Sequence, residues 1–204
     1  MSKDLMSQPS TLLPCDPYRI FICGSGGDGV LFTGKLLAQA ALRAGLELSW
    51  LPSYGPEMRG GTANCSVVLS RQVVASPIID QADLMLIFNQ AAWLKYGARL
   101  APGGLILADQ SAFPDGPGAV KLKADAQIHA LAAKQEAAAR LGRNLGNMLL
   151  LGALTELLPL FSIADLLQCL QHSLAAKSPE LLELNEQALS LGQRLMAREL
   201  RGQF

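Results

Sequence analysis

A short apolar run, Tyr18 to Cys23, ends in Gly24-Ser25-Gly26-Gly27-Asp28-Gly29, and Val30 to Ala44 then repeats apolar residues at helical spacing until Gly45. Strand, glycine turn and helix in that order constrain the chain to a βα beginning. The rest keeps the pattern. Leu46 to Leu51 and Asn64 to Ser70 read as strands, as do the fully apolar runs Leu84 to Phe88 and Leu105 to Ala108, with a helix from Gln90 to Leu100 between the last two. This alternation predicts an α/β fold with a three-layer, doubly wound, mostly parallel sheet. Beyond the turn Pro114-Asp115-Gly116-Pro117-Gly118 the spacing predicts helices over Ala124 to Leu141, Asn144 to Leu157, Ser162 to His172 and Ser178 to Leu200, and no further strand. Ser162 with Asp165 forms a capping box, and Ser178-Pro179 sets a cap before a first-turn proline. The division is a flexible N-terminal arm, 1–17, and one α/β domain, 18–204.

Half of the 204 residues are hydrophobic and 17 % are charged, enough for a substantial core in a single domain. Seventeen basic side chains balance seventeen acidic ones, which leaves no global field to draw nucleic acid or an anionic membrane. A positive mean hydropathy with few aromatics points to closely packed helices or to a surface partly covered by a partner. The polar start excludes a secretory signal, and Met148 to Leu154 is far shorter than the roughly 20 residues of a membrane span, so a cytoplasmic location is expected. Cys15, Cys23, Cys65 and Cys169 form no Cys-x-x-Cys unit. Local spacing therefore builds neither a zinc site nor an iron–sulfur cluster, and buried free thiols are expected.

Gly24, Gly26 and Gly29 satisfy G-x-G-x-x-G between strand and helix, where backbone N–H groups approach a phosphate. A dinucleotide fold wants an acid at the end of the second strand; Glu47 stands at its beginning and Leu51-Pro52 at its end. Gly29 to Lys35 also reads G-x-x-x-x-G-K, but Leu36 follows where magnesium needs a hydroxyl, so Lys35 reads as a solvated helix residue. A third reading has Gly26 and Gly27 only allowing tight packing. Asp28 fits none of these: its charge repels a phosphate, and it calls for a cationic group or a hydrogen bond to the next loop.

That loop, Ser53 to Thr62, packs Tyr54, Glu57 and Arg59 among Gly55-Pro56 and Gly60-Gly61. The glycines and proline fix a shaped turn, while the three functional side chains exceed the needs of a connector. His129 and His172 fall in predicted helices without acids or cysteines at ligand spacing, and are expected to be structural. Trp50 and Trp93 are expected as core or interface anchors, with Trp93-Leu94-Lys95-Tyr96 suited to a subunit contact.

Gly24-Ser25-Gly26-Gly27-Asp28-Gly29, Tyr54-Gly55-Pro56-Glu57-Met58-Arg59-Gly60-Gly61, Ser76-Pro77, Asn147-Met148-Leu149-Leu150-Leu151-Gly152-Ala153 and Pro179 to Ala188 together resemble the gamma subunit of the 2-oxoacid:ferredoxin oxidoreductases. The likeness runs from about Arg19 to Gly192, and Asp28 stands where the family usually has glutamine. The resemblance implies a non-autonomous subunit working with alpha and beta subunits, an iron–sulfur subunit and ferredoxin. Such a complex oxidatively decarboxylates a 2-oxoacid to acyl-CoA and carbon dioxide with thiamine diphosphate, magnesium, iron–sulfur clusters and coenzyme A. With no clustered cysteines and no thiamine diphosphate motif, this chain is expected to bind none of these cofactors alone. Gly24, Ser25, Gly26, Gly27, Asp28, Gly29, Tyr54, Gly55, Glu57, Arg59, Gly60 and Gly61 are then the candidate wall of the substrate and coenzyme A cavity, on loops at the carboxyl ends of neighbouring strands. In that wall Arg59 forks onto a carboxylate or phosphate, Tyr54 stacks or donates, and Glu57 holds Arg59; the same Arg59–Glu57 pair also reads as a loop-fixing ion pair. Among substrates 2-oxoglutarate comes first, with branched-chain 2-oxoacids, pyruvate and indolepyruvate open. The alternative is a stand-alone nucleotide- or dinucleotide-binding module.

Overall fold

The computed structural model describes residues 13–53, 61–122, 125–174 and 178–202. Among them six strands form one sheet: β1 (Tyr18–Ser25), β2 (Glu47–Pro52), β3 (Thr62–Ser70), β4 (Ala82–Ile87), β5 (Leu100–Asp109) and β6 (Gln127–Leu131). Their order is β2-β3-β1-β4-β5-β6, and only β3 runs against the others. The helices are α1 (Val30–Arg43), α2 (Gln90–Tyr96), α3 (Ala133–Leu141), α4 (Gly146–Leu157), α5 (Ile163–Leu174) and α6 (Pro179–Leu200). The expected α/β architecture with a mostly parallel sheet is borne out.

Apolar side chains along the central strands divide by parity, because successive residues of a strand point to opposite faces. Ile20, Ile22, Leu84, Leu86 and Leu107 join the core under α1 and α3–α6, whereas Phe21, Cys23, Met85, Ile87, Ile106 and Ala108 join the core under α2. Both faces being covered explains why these strands read as unbroken apolar runs. The layers are unequal: one short helix and irregular segments cover the α2 face. On the other face α4 is buried almost all round, against β5 and beneath α6. Two glycines let those helices touch backbone to backbone: a Cβ on Gly152 would lie 1.9 Å from the Leu189 carbonyl oxygen, and one on Gly192 1.8 Å from that of Leu149.

Two helix starts follow the sequence reading closely. Ser162 N–H donates to Asp165 Oδ2 at 2.8 Å and Asp165 N–H returns to Ser162 Oγ at 3.2 Å, completing the capping box. Ser178 Oγ accepts from Leu181 N–H at 3.3 Å.

Other expectations need correction. The stretch read as one helix from Ala124 to Leu141 contains the edge strand β6 before α3 begins. Its alanines favour helix locally, but parallel pairing of Ile106, Leu107 and Ala108 with Ile128, His129 and Ala130 wins. The helix expected to reach Leu100 ends at Tyr96, passes through a 3₁₀ turn over Gly97–Arg99, and yields to a β5 that starts five residues before Leu105. The arm is anchored from Leu13 onward: Leu13 is buried, its carbonyl accepts from Arg71 Nη2 at 3.3 Å, and Asp16 Oδ2 accepts from Arg71 N–H at 3.2 Å. Cys23, Cys65 and Cys169 are buried free thiols, but Cys15, in the bends before β1, is exposed.

Candidate functional site

The strand order reverses at β1: the sheet grows through β3 to β2 on one side and through β4 and β5 to β6 on the other. Such a switch point opens a crevice beyond the carboxyl ends of the strands. The glycine turn lies there, between β1 and α1. Because β3 is antiparallel, its beginning reaches the same rim, with Thr62 opposite Ser25. Gly26 N–H donates to the Gly61 carbonyl at 3.3 Å, and Ser53 N–H to the Asn64 carbonyl at 3.0 Å. The two predicted loops thus meet through their described ends. The two loops were expected at the carboxyl ends of neighbouring strands, but β3 lies between β1 and β2, and it is the start of β3 that meets the glycine turn. Tyr54, Gly55, Glu57, Arg59 and Gly60 lie outside the described residues.

Asp28 organises the turn. Its Oδ2 accepts from Ser25 N–H at 2.8 Å and from Asn89 Nδ2 at 2.6 Å, and its Oδ1 is 2.9 Å from Lys134 Nζ. The cationic group that the sequence called for is Lys134, at the start of α3. Asn89 also donates to Ser25 Oγ at 2.9 Å, and its own Oδ1 caps α2 by accepting from Ala92 N–H at 2.9 Å. Lys134 is held in turn by Asp109 from the end of β5: Asp109 Oδ2 accepts the Lys134 backbone N–H at 2.8 Å, and Oδ1 accepts from Ser111 N–H at 3.0 Å and from the Ser111 hydroxyl. Asp109 is buried, and it supplies an acceptor to a helix start whose own N-cap, Ala132, makes no side-chain cap bond.

Close backbone approaches make this network fit. Gly29 precedes α1 at φ 76°, a left-handed conformation that glycine adopts without strain, and a Cβ there would lie 2.3 Å from Asn147 Nδ2. Gly146 gives the Lys134 stem its room, since a Cβ there would lie 2.8 Å from Lys134 Cγ. Gly24 is enclosed by Val30, Asp28 and Phe88. Tight packing therefore belongs to Gly24 and Gly29. At Gly27, φ 94° with open space around the Cβ position shows that backbone conformation selects the glycine there.

This geometry disfavours the phosphate-cradle readings. The N–H of Ser25 is spent on Asp28, that of Gly26 on Gly61, and that of Asp28 on the Ser25 carbonyl at 3.0 Å. The Asp28 carboxylate, held by Ser25 N–H, Asn89 and Lys134, adds a negative charge beside the turn that disfavours a phosphate. Lys35 is exposed within α1, well past the turn. The alternative of a stand-alone nucleotide module therefore finds no support.

The sequence did not single out Asn89, Asp109 or Lys134 for this site. Asn89 and Asp109 each follow directly on an apolar run, Leu84 to Phe88 and Leu105 to Ala108, which was a usable signal; Lys134 was hidden inside the supposed long helix. Lys134 and Ser111 border a cavity of about 400 Å3 whose apolar side includes Phe113 and Pro114. His129 has an acidic neighbour after all, its Nδ1 lying 2.9 Å from Glu199 Oε1, while His172 Nδ1 bonds the Gln168 carbonyl at 2.8 Å. Trp93 packs edge-on against Phe113 at 5.4 Å, and Leu94 beside it is 75 % exposed. Among the described residues no group of three or more His, Cys, Asp or Glu is placed to hold a metal, and no helix is long and apolar enough to cross a membrane.

A family model described as pyruvate ferredoxin/flavodoxin oxidoreductase matches residues 19–195. The 2-oxoglutarate synthase subunit KorC of Methanothermobacter thermautotrophicus is 30 % identical over 181 residues, covering 87 % of this chain and 94 % of that protein. The ketoisovalerate oxidoreductase subunit VorA of the same organism is 45 % identical over 103 residues, which are 50 % of this chain and 22 % of VorA. The chain thus spans about a fifth of VorA and nearly all of KorC. Among solved structures, the gamma subunit of a keto/oxoacid ferredoxin oxidoreductase from Geobacter sulfurreducens superposes with TM-score 0.71 at 29 % identity, over 88 % of this chain and 98 % of that one. A 2-oxoglutarate:ferredoxin oxidoreductase from Magnetococcus marinus, with 2-oxoglutarate, coenzyme A and succinyl-CoA bound, gives 0.78 at 26 %, over 90 % of this chain and 31 % of that one. With the model spanning 19–195 and KorC matched nearly end to end, the chain belongs to the pyruvate ferredoxin/flavodoxin oxidoreductase family.

Proposed function

We propose that this chain is the gamma subunit of a 2-oxoacid:ferredoxin oxidoreductase, which assembles with alpha and beta subunits and an iron–sulfur subunit in the cytoplasm and forms one wall of the cavity admitting 2-oxoacid and coenzyme A. The observation carrying this reading is the clamped crevice at the switch point, in a chain similar over most of its length to a gamma subunit. The clamp fixes the turn and engages the N–H groups of Ser25, Gly26 and Asp28, so this chain supplies a shaped, rigid wall.

The donor set does not fit the complex's iron–sulfur clusters. Cys23 and Cys65 are buried in opposite faces of the sheet, Cys169 lies on α5, and Cys15 stands exposed in the bends before β1. Burial raises the thiols of Cys23 and Cys65 well above the usual range, away from the thiolate a cluster ligates. Clusters, thiamine diphosphate and its magnesium are assigned to partner subunits. The wall of this chain comprises residues 24–29 and Gly61, with Tyr54, Gly55, Glu57, Arg59 and Gly60 completing it. Arg59 is assigned to a carboxylate or phosphate of the ligand, oriented by Glu57.

Co-expression with partner subunits, followed by acyl-CoA assays over a panel of 2-oxoacids headed by 2-oxoglutarate, tests the reading. Arg59→Ala is expected to cut acyl-CoA formation on the order of tenfold or more while the subunits stay associated. Unaltered turnover defeats the ligand role, and a wild-type complex inert toward the whole panel defeats the function.

A further inference from the structure

We infer that Tyr96 is a positioning residue that pins the base of the loop between Ser53 and Gly61 to the rigid α2 helix. The inference deepens the proposed role of that loop. Tyr96 ends α2 and reaches across the sheet, where its ring meets Phe21 of β1 edge-on at 5.2 Å. Its hydroxyl accepts from Asn64 Nδ2 at 3.0 Å and lies 3.3 Å from Thr62 Oγ1. Thr62 and Asn64 are two apart on β3, so both side chains face α2.

These are the residues on which the loop's two ends rest. Ser53 N–H bonds the Asn64 carbonyl, and Gly61, whose carbonyl receives Gly26 N–H, immediately precedes Thr62. The other end of α2 begins at Asn89, which grips Asp28 and Ser25. One seven-residue helix therefore holds the glycine turn at its start and the first residues of β3 at its end. Lys95 over the Tyr96 ring at 5.3 Å and Arg99 over the Phe21 ring at 4.5 Å add cation–π contacts around the aromatic pair. With its ring fixed by Phe21, the hydroxyl sets where β3 starts relative to the glycine turn.

Tyr96→Phe keeps the ring contact and removes only the hydroxyl. In the full chain, hydrogen exchange at the Ser53, Thr62 and Asn64 amides is expected to quicken about fivefold, the factor of one hydrogen bond lost, while amides in α4 and the centre of β1 stay as in wild type. In the assembled complex the same variant is expected to lower kcat/KM for acyl-CoA formation by a similar factor without loss of subunits. Asn64→Ala should reproduce both effects, and the double variant should add little to either single one. Unchanged exchange at Ser53 and Asn64 in Tyr96→Phe overturns the inference whatever the turnover. Because exchange is read on the chain alone, a complex without 2-oxoacid activity sinks the proposed function and leaves this test standing.

Discussion

Neutralising Lys134 should damage the protein more than neutralising Asp28, although both substitutions break the same 2.9 Å ion pair. In Asp28→Asn the amide oxygen still accepts from Ser25 N–H and Asn89 Nδ2, which share Oδ2 in the native network, and its NH2 group replaces Oδ1 opposite Lys134. Lys134, with 31 % of its side chain exposed, turns to water. The expected cost is about 1 kcal/mol, that of a partly exposed pair. Lys134→Met instead strands a carboxylate whose side chain is only 12 % exposed. Losing one member of a fully buried pair costs about 3–5 kcal/mol; scaled down for the exposure of Lys134 and the two donors that remain on Asp28, about 2 kcal/mol is expected. Asp28→Asn with Lys134→Met sets a neutral amide against a thioether, so the double variant should lose roughly 1–1.5 kcal/mol, less than Lys134→Met alone and well short of the sum of the singles. Urea unfolding followed by the fluorescence of Trp50 and Trp93 measures all four proteins. Additive losses, or a Lys134→Met variant no weaker than Asp28→Asn, would refute the view that Asp28 is a desolvated anchor completed by Lys134.

The α4–α6 crossing tolerates no side chain at its contact, so Gly152→Ala, whose Cβ would lie 1.9 Å from the Leu189 carbonyl oxygen, should destabilise by about 3 kcal/mol or more in the same unfolding assay. A near-neutral Gly152→Ala would mean that the helices part freely. Alkaline pH probes the interior: burial pushes the Cys65 thiol up to about 12, with the neighbouring Trp50 indole drawing it the other way. A thiol that stays protonated when folded but ionises near pH 8.5 when unfolded stabilises fully below that value, and this contribution drains away as pH rises toward 12. Between those limits wild type should lose about 1.4 kcal/mol per pH unit more than Cys65→Ala; parallel stability curves would contradict the shift.

The sheet was largely legible because strands buried on both faces leave runs such as Leu84–Ile87, and because glycines must punctuate a strand–turn–helix passage. Asp28 could be read as wanting a cation, since a carboxylate before a helix suits neither a phosphate nor a bare turn. The identity of that cation was not legible: Lys134 reaches Asp28 only after β6 takes its place beside β5, and the alanines around β6 argue locally for helix. Asn89 caps α2, Asp109 ends β5 and Lys134 opens α3, and no spacing along the chain announces their convergence. The tight fit of Gly146 around the Lys134 stem is likewise invisible until α3 and α4 pack.

Since β3 alone runs counter to its neighbours, Ser53 after β2 and Gly61 before β3 lie on one rim, each fastened by a backbone bond. Residues added or removed between those two fasteners shift no strand in register.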